Sequence, residues 1–200
     1  MSAYDQNNIF AKILRGEIPS HKIYEDGRAL AFMDIMPRTE GHVLVIPKAS
    51  VRNLLDVSPE DLGYVMGVVQ MVARAAVKAT GADGFTIQQF NEEAGGQVVF
   101  HLHFHILPRW AGVALRPPAG EVEKPDVLAA TAEKIRKALA ELVGGVATEP
   151  APAPAAASEP APEPEPETPA EPEEPKADEA VAEESQPDAG EARDAENPKA

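Results

Sequence analysis

The chain has 200 residues, no cysteine and a formal net charge of −15, which excludes disulfides and argues against broad nucleic-acid binding, a function that rests on lysine and arginine at phosphates. The charge is uneven: residues 149–200 hold 16 acidic and 3 basic side chains and 12 of the 20 prolines, leaving residues 1–148 at −2. No run of about 20 apolar residues is read that would span a bilayer, and Met1-Ser2-Ala3-Tyr4-Asp5 has neither the basic start nor the apolar core of a secretory signal, so no membrane partner and a cytoplasmic location are expected.

These counts predict a folded domain over residues 1–146 and a disordered Pro/Ala/Glu-rich acidic tail over 147–200, too poor in large apolar side chains to offset the entropy of ordering. Along the domain, Ile9, Phe10, Ile13 and Leu14 fall on one face of a short helix that Gly16 ends. Lys22–Glu25 and Arg28–Asp34 read as strands around the hairpin signal Asp26-Gly27, with Leu30, Phe32 and Asp34 on one face. His42–Lys48 is a short buried strand ended by Pro47. Ser58-Pro59-Glu60-Asp61 starts an amphipathic helix, with Leu62, Val65, Met66, Val69, Val72, Ala73 and Ala76 at steps of three and four and Gly81 at its close. Phe85–Asn91 is a fourth strand, followed by a turn over Glu92–Gln97. Leu128, Ala132, Ile135, Leu139 and Leu142 mark a last helix, capped by Asp126, ended by Gly144-Gly145, with Lys134, Arg136 and Lys137 on a solvated face. Together with the stretch below this is an α+β domain of five mostly antiparallel strands with a long helix across one face.

The chemistry concentrates in Val98–Arg109, where His101, His103 and His105 alternate with Phe100, Leu102, Phe104 and Ile106. A period of two is that of a strand, so the apolar row faces a core and the imidazoles share the other face, towards a cleft or solvent. Three readings fit such a row: a solvated strand face, a metal site completed by carboxylates or further histidines, and a nucleophile flanked by proton carriers. The preceding Gly95-Gly96-Gln97 is read as bringing backbone amides to the mouth of the row, which suits an anion.

The order His-apolar-His-apolar-His-apolar-apolar after Gly95-Gly96-Gln97, with Ile9-Phe10, Ala31-Phe32-Met33-Asp34-Ile35, Gly41-His42-Val43-Leu44-Val45-Ile46-Pro47-Lys48 and Asn91, resembles the histidine triad (HIT) family of nucleotide hydrolases and transferases. The resemblance implies a homodimer with a continuous ten-stranded sheet. It also implies a purine pocket lined by Ile9, Phe10, Ile13 and Leu44, a base flanked by Phe32 and Ile35, and a ribose held by Asp34. Phosphate would be contacted by Asn91 and the Gly96–Gln97 region, beside Val98, which stands where relatives carry a serine or threonine. His42 would be a fourth imidazole behind the triad. His103 would attack the α-phosphorus while His101 and His105 stabilise charge and move protons. Transferase members have glutamine where this chain has His105, so hydrolysis is implied. The compact domain and Asn91 are similar to the Hint branch, which releases AMP from purine nucleoside phosphoramidates and acyl-adenylates. Gln97, Val98 and Leu107-Pro108-Arg109 are similar to dinucleoside polyphosphate hydrolases, the alternative, and a nucleotide-binding module acting through its tail is a further one. Some bacterial members hold zinc with a Cys-x-x-Cys pair, a later histidine and the first triad histidine. The matching positions here are Asn8, Ala11 and Ser50, so no metal and no cofactor are expected.

Overall fold

The structure, a computed structural model, describes residues 3–144; the expected tail lies outside the described residues. Helix α1 spans Ile9–Leu14, and the side-chain oxygen of Asn8 accepts the Phe10 and Ala11 amides at 3.0 Å each. Strands β1 (Lys22–Glu25) and β2 (Ala29–Met33) form the hairpin signalled by Asp26-Gly27, and Asp26 Oδ1 accepts the amides of Arg28 and Ala29. Strand β3 (Val43–Pro47) follows, then helix α2 (Pro59–Thr80), capped by Ser58 and closed by left-handed Gly81. Strand β4 (Gly84–Gln88), a single turn over Glu93–Gly95, strand β5 (Phe104–Arg109) and helix α3 (Pro125–Val143) complete the domain.

The strands lie in the order β1-β2-β3-β5-β4, and every neighbouring pair is antiparallel. The two faces carry different chemistry. Ala31, Met33, Val43, Val45, Phe104 and Ile106 face the main core under α2 and α3. Leu30, Phe32, Leu44 and Ile46 form a second cluster with Phe10 and Ile13 of α1 on the other face. Each fully buried aliphatic or aromatic side chain contributes about 1.5–3 kcal/mol, so the short α1 is held by packing rather than by its own propensity.

Five expectations are corrected. The triad segment is regular only from Phe104, since the ladder with β3 begins at the Val45–Phe104 pair and residues 97–103 are irregular. Phe100 is therefore outside the main core, half-buried beneath the Arg52 guanidinium, 3.8 Å from its ring centroid. Helix α3 starts at Pro125 after Lys124, placing Asp126 in the first turn instead of at the cap, and Arg136 is not merely solvated, because it donates to the Lys22 carbonyl at 2.6 Å. Finally, α2, 22 residues long, is long and apolar enough to cross a membrane by length and composition alone. Its Val65, Val69, Val72, Ala73 and Ala76 are buried, and it packs on the sheet as a core helix.

Candidate active site

The imidazoles gather on the α1 face of the sheet. His105 lies in β5 directly across from Leu44, His42 immediately precedes β3, and His101 and His103 occupy the irregular stretch before β5. The ring centroids of His103 and His105 are 5.0 Å apart. Phe10 stands edge-on to His103 at 5.1 Å, and Phe90 to His105 at 5.8 Å. Of the two settings expected for the row, a cleft or solvent, open solvent does not hold: His101 and His103 are buried and His105 is half-buried. The physical reason is α1, whose Phe10 covers the face that alternation alone would leave wet.

Hydrogen bonds assign the protons on each ring. His101 Nε2 lies 2.9 Å from the Pro47 carbonyl, which only accepts, so Nε2 is protonated and Nδ1 accepts the Tyr4 hydroxyl at 2.5 Å. The His101 carbonyl accepts His103 Nδ1–H at 2.6 Å. That leaves His103 Nε2 as a lone pair without a partner among the described residues. The Arg38 amide donates to His42 Nδ1 at 3.3 Å, so His42 donates from Nε2 to His105 Nδ1 at 2.9 Å. His105 then carries its own proton on Nε2. A lone pair on one ring stands beside an N–H on its neighbour.

Burial keeps these rings uncharged. It pushes His42 down to about 3, helped by His105 and Arg38, and His105 down to about 3, helped by His103 and Arg38. Burial lowers His101 to about 4 against the opposing Pro47 bond, and lowers His103 against its bond to the His101 carbonyl. Asp34 Oδ1 accepts the Met36 amide at 2.8 Å and Oδ2 lies 3.4 Å from His42 Nδ1, and burial raises the carboxyl above its ordinary range.

Of the residues expected around a base, Phe10, Ile13, Phe32 and Leu44 form one buried cluster, while Ile9 and Ile35 remain exposed. The expected phosphate contacts need correction. The amides of Gly95 and Gln97 donate to the Glu92 carbonyl and that of Gly96 to the Glu93 carbonyl, so none is free for an anion. The Gln97 side chain is buried, accepting the Glu92 amide and donating to the Arg52 and Val99 carbonyls. The Asn91 side chain accepts the Leu54 amide and pairs with Gln89. Tight turns use their own amides first. Among the described residues, the amides of Val98, Val99 and Phe100 have no acceptor. The Val98 side chain is 85% exposed.

The zinc set of some relatives does not fit here. Asn8 is engaged as the α1 cap, Ala11 offers no ligand atom, and both ring nitrogens of His101 are hydrogen-bonded. Among the described residues, Asp34, His42 and His105 do bring one ligand atom each within 4.8 Å of one another, but the two rings already bond to each other there. The roles of Tyr4, the Pro47 carbonyl and Phe90 beside the imidazoles are not among the expected site contacts. The aromatic beside Asn91 was the one readable hint, whereas Tyr4 and the Pro47 carbonyl reach His101 only through the fold.

The HIT domain family matches residues 15–112. Adenylylsulfatase HINT3 of Arabidopsis thaliana is 38% identical over 129 residues, spanning 62% of this chain and 66% of that protein. The crystal structure of a Hit-like protein from Bartonella henselae has 53% identity and a TM-score of 0.66, covering 68% of this chain and 99% of its own. A zinc-bound histidine triad family protein from Mycobacterium smegmatis has 36% identity and a TM-score of 0.61, covering 70% of this chain and 97% of its own. With four imidazoles on one face of a five-stranded sheet and these likenesses across the folded part, the chain belongs to the histidine triad (HIT) family.

Proposed function

We propose that this protein is a metal-independent hydrolase that releases AMP from purine nucleoside phosphoramidates or acyl-adenylates through a covalent nucleotidyl-His103. The observation that carries this reading is the unpartnered His103 Nε2 lone pair beside the protonated His105 Nε2. A neutral imidazole is a nucleophile without a separate base, and burial keeps His103 neutral. In the first step His103 Nε2 bonds to the α-phosphorus, the bond from phosphorus to the leaving nitrogen or oxygen breaks, His105 Nε2–H donates a hydrogen bond to that leaving atom, and the proton an amine leaving group takes comes from solvent. His103 Nδ1–H, donating to the His101 carbonyl, shares the positive charge that its ring acquires. In the second step water adds to phosphorus, the phosphorus–His103 bond breaks, and a proton from that water passes to solvent. The free amides of Val98, Val99 and Phe100 suit the phosphoryl oxygens, where charge is held throughout. Asp34 suits the ribose hydroxyls, and the Phe10, Ile13, Phe32 and Leu44 cluster suits a purine.

Two cations near the site are already engaged. Arg52 is held by both oxygens of Glu92, and Arg38 donates to Gln88 Oε1 and the Arg116 carbonyl. Beyond the α-phosphate, an occupied arginine and the exposed Val98 favour a small leaving group over a second nucleotide on a polyphosphate chain. The A. thaliana relative is named for an adenylyl group joined to sulfate, a leaving group of that kind. The purified full-length chain should turn over adenosine phosphoramidate faster than diadenosine polyphosphates, judged by AMP release. His103→Ala should lower turnover by at least about 10³-fold while AMP binding, measured by calorimetry, persists. Retention of most of the activity in that variant would remove the nucleophile assignment.

A further inference from the structure

Glu92 adopts φ 59° and ψ 167°, a region of backbone space that is essentially reserved for glycine and strained for other residues. Such a conformation persists only where its surroundings determine it from several sides. Here every polar group of Glu92 is fixed. Its amide donates to Gln97 Oε1 at 2.8 Å, and its carbonyl accepts the amides of Gly95 and Gln97. Its carboxylate takes both prongs of Arg52, Nε at 2.7 Å and Nη2 at 2.9 Å, and Asn53 Nδ2 at 2.6 Å.

The same anchors reach the reacting end of the segment. Arg52 is buried, its guanidinium lies on the Phe100 ring, and its carbonyl accepts Gln97 Nε2, which also donates to the Val99 carbonyl. The Val51 carbonyl accepts the Leu102 amide at 2.9 Å. Residues 51–53 thus grip the chain at 92, 97, 100 and 102, on both sides of the unbonded amides and up to the residue before His103. A bidentate arginine–carboxylate pair is geometrically specific as well as strong, and a stacked arginine cannot be replaced by lysine without loss.

Resting on the hydrolase reading, we infer that Glu92, clamped by Arg52 and Asn53, is a positioning residue: it uses a strained backbone to fix the amides of Val98–Phe100 against the phosphoryl group that His103 attacks. Glu92 touches no reacting atom. Its effect is orientation, which is felt in the transition state more than in substrate binding.

The experiment compares the full-length wild type with Glu92→Gly, Glu92→Gln and Arg52→Lys. Glycine adopts the Glu92 backbone without strain, so Glu92→Gly removes the clamp while sparing the fold. Arg52→Lys keeps the charge and loses the fork, which gives a second route if the first variant misfolds. In the ligand-free protein, 15N–1H spectra of either variant should show the Val98, Val99 and Phe100 amides shifted and broadened, with the β1–β3 resonances in place. On adenosine phosphoramidate, kcat should fall on the order of 10- to 100-fold with KM changed far less, and Glu92→Gln, which keeps one acceptor oxygen, should recover part of it. A lower melting temperature with kcat unchanged, or a lower kcat with those three amides unmoved, would overturn the inference. If the wild type turns over no nucleotide yet the amides respond as described, the clamp stands and the hydrolase reading fails.

Discussion

At the level of single residues, the site is built from imidazoles held neutral by burial, and this has a consequence for stability. His101 titrates near 4 and His42 and His105 near 3 in the fold, against about 6.5 in an unfolded chain. The folded pKa values lie below the unfolded one, so below pH 6.5 the unfolded chain binds protons that the fold refuses. The stabilisation from uncharged burial is fully present above pH 6.5 and is lost as pH falls towards 4, at up to about 1.4 kcal/mol per pH unit for each ring. Burial works to raise Asp26, but the hydroxyls of Tyr24 and Tyr64 and the amides of Arg28 and Ala29 outweigh it and hold the carboxyl down at about 2, so its contribution is present throughout this window and is lost only as pH falls below it. Urea unfolding at pH 7.5, 6 and 5 should show stability declining with acidity, and His105→Gln should reduce the slope by about 1 kcal/mol per pH unit. Equal slopes would mean that His105 is not a refused proton site. A second residue-level outcome concerns metal: with Asn8, Ala11 and Ser50 in place of the relatives' ligands, purified protein should contain far less than one zinc per chain, and a chelator should leave its melting temperature unchanged.

At the level of elements, the turn into β3 sets His42. Gly41 has φ +74°, and a Cβ placed there would meet Thr80 Cγ2 at 2.8 Å and Pro108 Cγ at 3.2 Å. Left-handed backbone costs an ordinary residue about 1–2 kcal/mol, and the contact with the end of α2 adds to that. Gly41→Ala should lower stability by about 2–3 kcal/mol and disturb the His42–His105 bond, visible as altered imidazole resonances; a change below 0.5 kcal/mol would contradict it. This turn shows what the sequence makes legible. Ser58 with Pro59, Asp26 with Gly27 and the glycines after α1, α2 and α3 are signals whose physics is complete within a few residues, and each sits where it was read. The irregular half of the triad segment is different. Its path is held by Arg52, Asn53 and Glu92, some 40 residues apart in sequence, and alternation in Val98–Ile106 is equally compatible with a straight strand. The same holds for the phosphate contacts: Gly95-Gly96-Gln97 reads as an anion loop until the turn is seen to consume its own amides. Burial of His101 and His103 was hidden for a third reason, since α1 covers them only because Phe10 has Phe32 to pack on, with ring centroids 5.6 Å apart.

At the level of the whole molecule, β4 forms one edge of the sheet, and its register with β5 pairs Gln88 with His105. An edge strand exposes unpaired amides and carbonyls, and soluble proteins usually guard such edges with charge, proline or a covering element. This one carries Phe85 and Ile87, 48% and 40% exposed, beside Met66 of α2, around an apolar groove of about 450 Å³ lined also by Val69 and Gln70. Two copies related by a two-fold axis would pair β4 with β4 antiparallel, burying both apolar patches and continuing each five-stranded sheet into one of ten. Because Gln88 also accepts the Arg38 guanidinium at 2.8 Å, that pairing would stiffen the wall behind His42 and His105. Sedimentation of the full-length chain at micromolar concentration should give the mass of a dimer. Ile87→Lys, which places a charge in the middle of the patch, should shift it to the monomer and lower the melting temperature by several degrees. A wild type that sediments as a monomer throughout, or an Ile87→Lys variant as dimeric as the wild type, would show that this edge is not where copies meet.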